Sequence, residues 1–160
     1  MTDGPFFKIV LHAPEIPGNT GSIGRTCLAL NAELLLIRPL GFSLDEKAVR
    51  RAGLDYWKHV RVREFLSWED FLEKENPPRD QLFLFEKGEG KPWHQAPYRR
   101  GCYLVFGGET RSIPDPILQA LPDNWYSFPQ FSEHVRSLNL ANIATAAAYE
   151  CLRHIRPEGA

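Results

Sequence analysis

Phe6–His12 (FFKIVLH) is a short run of β-forming apolar residues, and Glu33–Ile37 (ELLLI) is another. Between them lie a Pro/Gly/Asn loop at 13–19 and a helix-competent stretch, 20–31. A strand, a loop, a helix and a second fully apolar strand read as one β/α/β unit. The pattern continues outward. Gln81–Glu86 (QLFLFE) and Cys102–Gly107 (CYLVFG) are further continuous apolar strands, Val60–Phe65 a fourth candidate and Tyr126–Phe128 a short last one. Strands apolar on both faces belong to a parallel sheet covered on both sides. The expected fold is therefore a single α/β domain spanning 1–160, with its core at about 6–155, as a parallel sheet with helices on both faces.

Helices are expected where proline is absent, at 18–38, 40–76 and 130–156. Thr20–Asn31 would open with Asn19 or Thr20 as cap, and Ser43–Gly53 would stop at Gly53. Ser67–Asn76 carries Ser67 followed by Asp70, a variant of the capping box. Asp115–Leu121 follows Pro114, and Ser137–Ile155 is the longest, with Leu138, Ile143, Ala147, Cys151 and Ile155 along one side.

Composition limits the function. The 160 residues are 43% hydrophobic and 24% charged, with 19 Lys/Arg against 20 Asp/Glu, so a nucleic-acid partner must use a local patch. Cys27, Cys102 and Cys151 form no CxxC pair and fit three reduced thiols in a cytoplasmic protein. No signal segment or window of 18 apolar residues is present, so no membrane is expected. The five histidines make no HxH or HxxxH pair, which argues against a metal. GxxxxGK[ST], GxGxxG and GxSxG are all absent. Glu86-Lys-Gly-Glu-Gly90 has Pro92 where a third glycine would be needed.

Three loops at strand ends remain. Pro14–Cys27 places Gly21, Ser22, Gly24 and Arg25 at a helix start, where small residues and a fixed positive fork suit an anion. Phe106-Gly-Gly-Glu-Thr-Arg-Ser-Ile-Pro114 ends a buried strand in two glycines and a carboxylate, Glu109. Arg136-Ser-Leu-Asn-Leu-Ala-Asn142 opens the last helix, where Ser137 and Asn139 alone would be read as caps. In open α/β sheets, ligands bind at that carboxyl edge.

In this order, Asn19 with Arg25 after five intervening residues, the F-G-x-E loop and the R-S-L-N-L-A-N helix start resemble the SPOUT superfamily of RNA 2′-O-ribose methyltransferases. Arg50-Arg-Ala-Gly-Leu-Asp-Tyr56 after Pro39-Leu-Gly-Phe42 is similar to the compact branch acting on the tRNA wobble ribose, cytidine or uridine 34. The resemblance covers about 7–155. It implies a deep trefoil knot near the C-terminus, S-adenosylmethionine (AdoMet) as cofactor, a homodimer and a tRNA anticodon stem-loop as partner. By position it implies cofactor contacts at Leu84, Gly107, Phe128, Ser137 and Leu138. Arg25 would be the catalytic arginine, with Asn19, Glu109, Asn139 and Tyr149 as its companions. Departures from the pattern are Gly108 for Pro, Ser112 for Gly, and a 130–135 stretch about one residue longer.

Charge is segregated. Lys47, Arg50, Arg51, Lys58, Arg61 and Arg63 face only Asp55 within 47–63, whereas 64–76 holds five acids and one lysine. Phosphate contacts by Lys47, Arg50, Arg51, Lys58 and Arg61, with stacking on Tyr56 and Trp57, fit an RNA surface. Alternatives are the same transfer on ribosomal RNA, or an RNA-binding module without catalysis. The lack of a separate domain before Phe6 favours the tRNA branch.

Overall fold

The computed structural model describes residues 4–45, 47 and 55–160. The strands are β1 Lys8–His12, β2 Glu33–Ile37, β3 Val62–Phe65, β4 Leu82–Phe85, β5 Lys91–Pro92, β6 Tyr103–Phe106 and β7 Trp125–Ser127. The helices are α1 Pro17–Ala29, α2 Trp68–Glu75, α3 Asp115–Ala120 and α4 Leu140–Ile155. The strands form one sheet in the order β3-β2-β1-β6-β4-β7-β5. Every pairing is parallel, with Val10 opposite Leu35 and Val105 at its centre.

Alternation along each strand builds two cores. Ile9, Leu11, Leu34, Leu36, Phe83, Phe85, Leu104 and Phe106 face α1 and α4, joining Ile23, Cys27, Ala144, Ala147, Ala148 and Cys151. Val10, Leu35, Ile37, Leu84, Tyr103 and Val105 face α2 and α3, meeting Trp68, Phe71, Ile117 and Leu121. The alanine face of α4 brings it close to α1, where the Thr26 and Thr145 hydroxyls meet at 2.8 Å. Burial pushes the Cys27 thiol up to about 12, while Cys102 and Cys151 rest with their sulfurs 3.5 Å apart as free thiols.

The expected elements are present with shifted ends. α2 is capped as read: Ser67 Oγ accepts from Asp70 N at 3.0 Å, and Asp70 in turn accepts from Leu66 N. α1 begins earlier than expected, at Pro17, so Asn19 and Thr20 lie inside it rather than capping it. Its N-cap is Ile16, which offers no side-chain acceptor. Pro17 supplies a preset φ and lacks the N–H that would need one. α4 begins at Leu140 with Asn139 as cap, leaving Ser137 and Leu138 in the preceding segment. β7 sits one residue earlier than read, so Phe128 follows it. β5 is an addition, two exposed residues against β7 at the sheet edge, where proline is tolerated. The expected helix Ser43–Gly53 falls mostly outside the described residues.

Trp57 is not free to stack on a base, and Tyr56 is half-buried. Trp57 is buried against α1, where a Cβ on Gly24 would stand 2.5 Å from its ring. Tyr56 donates its hydroxyl to Gly21 O at 3.0 Å. An indole gains more from a dry core than from a solvated face. No helix among the described residues is long and apolar enough to cross a membrane.

Candidate active site

Three segments at the carboxyl edge of the sheet meet through one hydrogen-bond relay. Glu109, just past β6, accepts from Glu15 N at 2.7 Å, Ile16 N at 3.1 Å and Asn19 Nδ2 at 3.4 Å. Asn19 Oδ1 accepts from Asn139 Nδ2 at 3.2 Å, and Asn139 Oδ1 accepts from Asn142 N at 3.1 Å. The first N–H groups of a helix have no intrahelical partner, and a carboxylate there also suits the helix dipole. Glu109 therefore caps the entry to α1 from 94 residues away. Its two oxygens accept three hydrogen bonds, which fix the carboxylate against the entry to α1.

Arg25 is exposed on α1 and lies outside this relay, its guanidinium 5.5 Å from the Tyr56 ring centre. Among the described residues it pairs with no carboxylate. Tyr149 is 56% exposed on α4, one turn beyond Thr145, whose partner Thr26 directly follows Arg25. The structure thus brings Asn19, Glu109 and Asn139 into hydrogen-bonding contact. Arg25 and Tyr149 flank the neighbouring α1–α4 crossing.

Of the residues expected to hold a cofactor, Leu84, Gly107 and Phe128 line the ends of β4, β6 and β7. Leu84 is fully buried with its side chain in the α2/α3 core, which leaves only its backbone to meet a ligand. A Cβ on Gly107 would stand 2.7 Å from Arg111 O and 2.8 Å from Ile113 N, so that turn folds back on itself as bare backbone. Glu86 braces the same turn by accepting from Ile113 N at 2.8 Å. Phe128 stacks on Trp93 at 5.5 Å and lies 5.7 Å from Phe85, forming an apolar wall. Ser137 and Leu138 are exposed in the segment before α4. A groove of about 560 Å³ opens between Lys87 and the 130–136 segment. Beside it the Gln130 Oε1 atom is buried with no hydrogen-bond partner. Backbone turns, an aromatic wall and an unused buried acceptor fit an adenosine-bearing cofactor. Among the described residues no group of three or more His, Cys, Asp or Glu could hold a metal ion.

The basic residues divide. Lys47 and Lys58 are exposed. Arg50 and Arg51 lie outside the described residues. Arg61 sits at the amino edge of the sheet, just before β3, and its guanidinium donates to Asn31 Oδ1. Arg63 pairs with Glu33 and Glu75 and is committed to the fold. The structure does not bring Arg61 or Arg63 to the Glu109 edge.

The sequence profile of the SpoU rRNA Methylase family matches residues 7–149. The chain belongs to that family. The tRNA (cytidine(34)-2′-O)-methyltransferase of Escherichia coli (strain K12) is 44% identical over 155 residues, 96% of each chain. A solved structure on the 2-OH methylation of C/U34 on tRNA has a TM-score of 0.82 at 42% identity, covering 92% of this chain and 95% of that one. The SpoU methyltransferase AviRb from Streptomyces viridochromogenes, solved with the cofactor AdoMet, has a TM-score of 0.74 at 25% identity, covering 95% of this chain and 61% of that one. For this SpoU chain, sequence reasoning missed Glu15 and Glu86, whose carboxylates hold the strand-end loops. The only signal for either was its place beside a proline- or glycine-rich turn.

Proposed function

We propose that this SpoU protein transfers a methyl group from AdoMet to the 2′-hydroxyl of the wobble ribose, cytidine or uridine 34, in a tRNA anticodon stem-loop. The observation that carries the reading is the relay Glu109–Asn19–Asn139 at the carboxyl edge of the sheet, beside an exposed arginine. It is supported by 44% identity over 96% of the chain to an enzyme named for that reaction.

When bound, the cofactor supplies an electrophilic methyl on a sulfonium. The backbone at Leu84 and Gly107, the Phe128 ring, and Ser137 and Leu138 would hold it. Arg25 places a delocalised positive fork where charge grows on the ribose oxygen, while solvent or an RNA phosphate takes the proton. Asn19, fixed between Glu109 and Asn139, orients the acceptor side. Lys47 and Lys58, with Arg50 and Arg51, supply phosphate contacts. The proposal includes the trefoil knot, one methyltransferase domain across the chain and a cytoplasmic setting. It also includes a homodimer joined over the α1–α4 face, where Leu28 and Tyr149 are exposed.

The test is purified protein with radiolabelled AdoMet and total tRNA, followed by nuclease mapping. Label on ribose 34 is expected. Label on ribosomal RNA alone would move the substrate, and absence of cofactor binding by calorimetry would defeat the proposal.

A further inference from the structure

Glu15 lies opposite Glu109 and engages the same pair of segments in the reverse direction. Glu109 accepts from Glu15 N and Ile16 N, while the Glu15 carboxylate accepts from Thr110 N at 3.3 Å and from Thr110 Oγ1 at 2.9 and 2.6 Å. Residues 15–16 and 109–110 thus exchange carboxylates across 94 residues of sequence. The contact is direct: a Cβ on Gly108 would stand 2.8 Å from Ala13 O and 3.0 Å from Glu15 Oε1. Residues 13–15 are gripped on a second side by the loop after β2, where Gly41 N donates to Pro14 O at 3.0 Å.

One carboxylate already satisfies the α1 entry. The Thr110 hydroxyl and, to a smaller extent, its N–H and the Arg111 charge outweigh desolvation and hold Glu15 below the usual carboxylate range. What the second carboxylate adds is registry. With both clasps closed, the turn 107–111 cannot shift against the first turn of α1 without breaking charge-assisted hydrogen bonds in both directions. Gly107 lies on the cofactor side of that junction and Asn19, with its bond to Asn139, on the acceptor side.

We infer that Glu15 and Thr110 are positioning residues that lock the cofactor-side turn to the acceptor-side helix, and so set the distance over which the methyl group moves. The kinetic part of the inference rests on the methyl-transfer reading above; the clasp itself does not.

The experiment compares Thr110→Val, which removes only the hydroxyl, with Thr110→Ser, which keeps it. Amide hydrogen exchange is measured in the free protein, and kcat and KM in methyl transfer to tRNA. Thr110→Val should speed exchange at Glu15 and Ile16 about tenfold, the loss expected for one charge-assisted hydrogen bond. It should lower kcat by about tenfold, with KM for tRNA changed less than about twofold and the melting temperature lowered by no more than about 5 °C. Thr110→Ser should restore both. Unchanged exchange at Glu15 and Ile16 would overturn the inference. So would a kcat loss matched by loss of folded protein and not rescued by serine. If Thr110→Val does not fold, Glu15→Gln, which keeps one acceptor oxygen, is read by the same two measurements. A wild-type protein that transfers no methyl group would defeat the functional reading, while exchange at Glu15 and Ile16 still decides the clasp.

Discussion

The two edges of the sheet are both bound by polar networks, and the networks differ in what they leave over. At the amino edge, Arg63 reaches Glu33 and Glu75, and the Tyr103 hydroxyl donates to Glu75 at 3.2 Å. The Lys8 ammonium sits 4.6 Å above the Tyr103 ring. This cluster joins β1, β2, β3, β6 and α2, and its charges are spent on one another. At the carboxyl edge, Glu109 and Glu15 are spent on backbone N–H groups and the Thr110 hydroxyl, and Arg25 keeps its fork exposed. One edge uses charge to close the fold. The other uses carboxylates to hold loops still, and Arg25 stays an exposed cation on α1.

The largest expected effect falls on that cation. Arg25→Ala should lower methyl-transfer kcat by about 100-fold or more, the scale of losing one transition-state donor, without a change in melting temperature. Single-turnover assays with labelled AdoMet check it. Arg25→Lys, which keeps charge and loses the fork, should also lose most of the rate, and wild-type turnover by that variant would remove the bidentate role. Next comes Gly107→Ala, whose Cβ meets backbone at 2.7 and 2.8 Å that cannot move aside. The overpacking should cost about 1–3 kcal/mol in urea unfolding and weaken AdoMet binding in calorimetry.

At the opposite edge Arg63→Met should leave kcat intact and destabilise by about 1 kcal/mol, a figure discounted because the guanidinium is partly exposed. The loss should depend on pH. Burial alone would raise the Glu75 carboxyl, but the Arg63 hydrogen bond and charge, with the Tyr103 hydroxyl, outweigh it and hold it below the ordinary value of 4.5. A depressed carboxyl stabilises the fold above its unfolded value, so the Arg63–Glu75 contribution is full at neutral pH. It erodes as pH falls below 4.5 toward the folded value. Urea midpoints for wild type and Arg63→Met should therefore converge in acid. The smallest effects concern RNA. Lys47→Ala and Lys58→Ala should each flatten the salt dependence of tRNA affinity by about 0.7 in log–log slope, as for one lost contact to a single strand. Arg61→Ala should leave that slope unchanged.

The contrast between the edges also explains what could be read from the residues alone. The strands FFKIVLH, ELLLI, QLFLFE and CYLVFG announce themselves because strands buried on both faces are apolar throughout, and local composition reports that directly. The three strand-end loops stand out because glycine, asparagine and arginine cluster there. Partnerships across the sheet leave no local trace. The cap of α1 is a carboxylate from the loop after β6, so inspection of Asn19 and Thr20 could not find it. Arg63 looks like a free cation in the run 47–63, yet Glu33 and Glu75 reach it from other elements. Trp57 looks like a base-stacking ring until Gly24 on α1 opens the space that buries it. Glu15 has the same invisibility, since its partner Thr110 is supplied by the turn after β6.

The proposed site brings cofactor and acceptor together at the carboxyl edge. Amide hydrogen exchange of the full chain, with and without saturating AdoMet, tests it most directly. Bound AdoMet should protect the turns at 84–88 and 107–111 and the 128–138 segment. Residues 31–34, 61–63 and Glu75 at the amino edge should be unaffected. Protection confined to the amino edge, with the 107–111 turn unchanged, would contradict it.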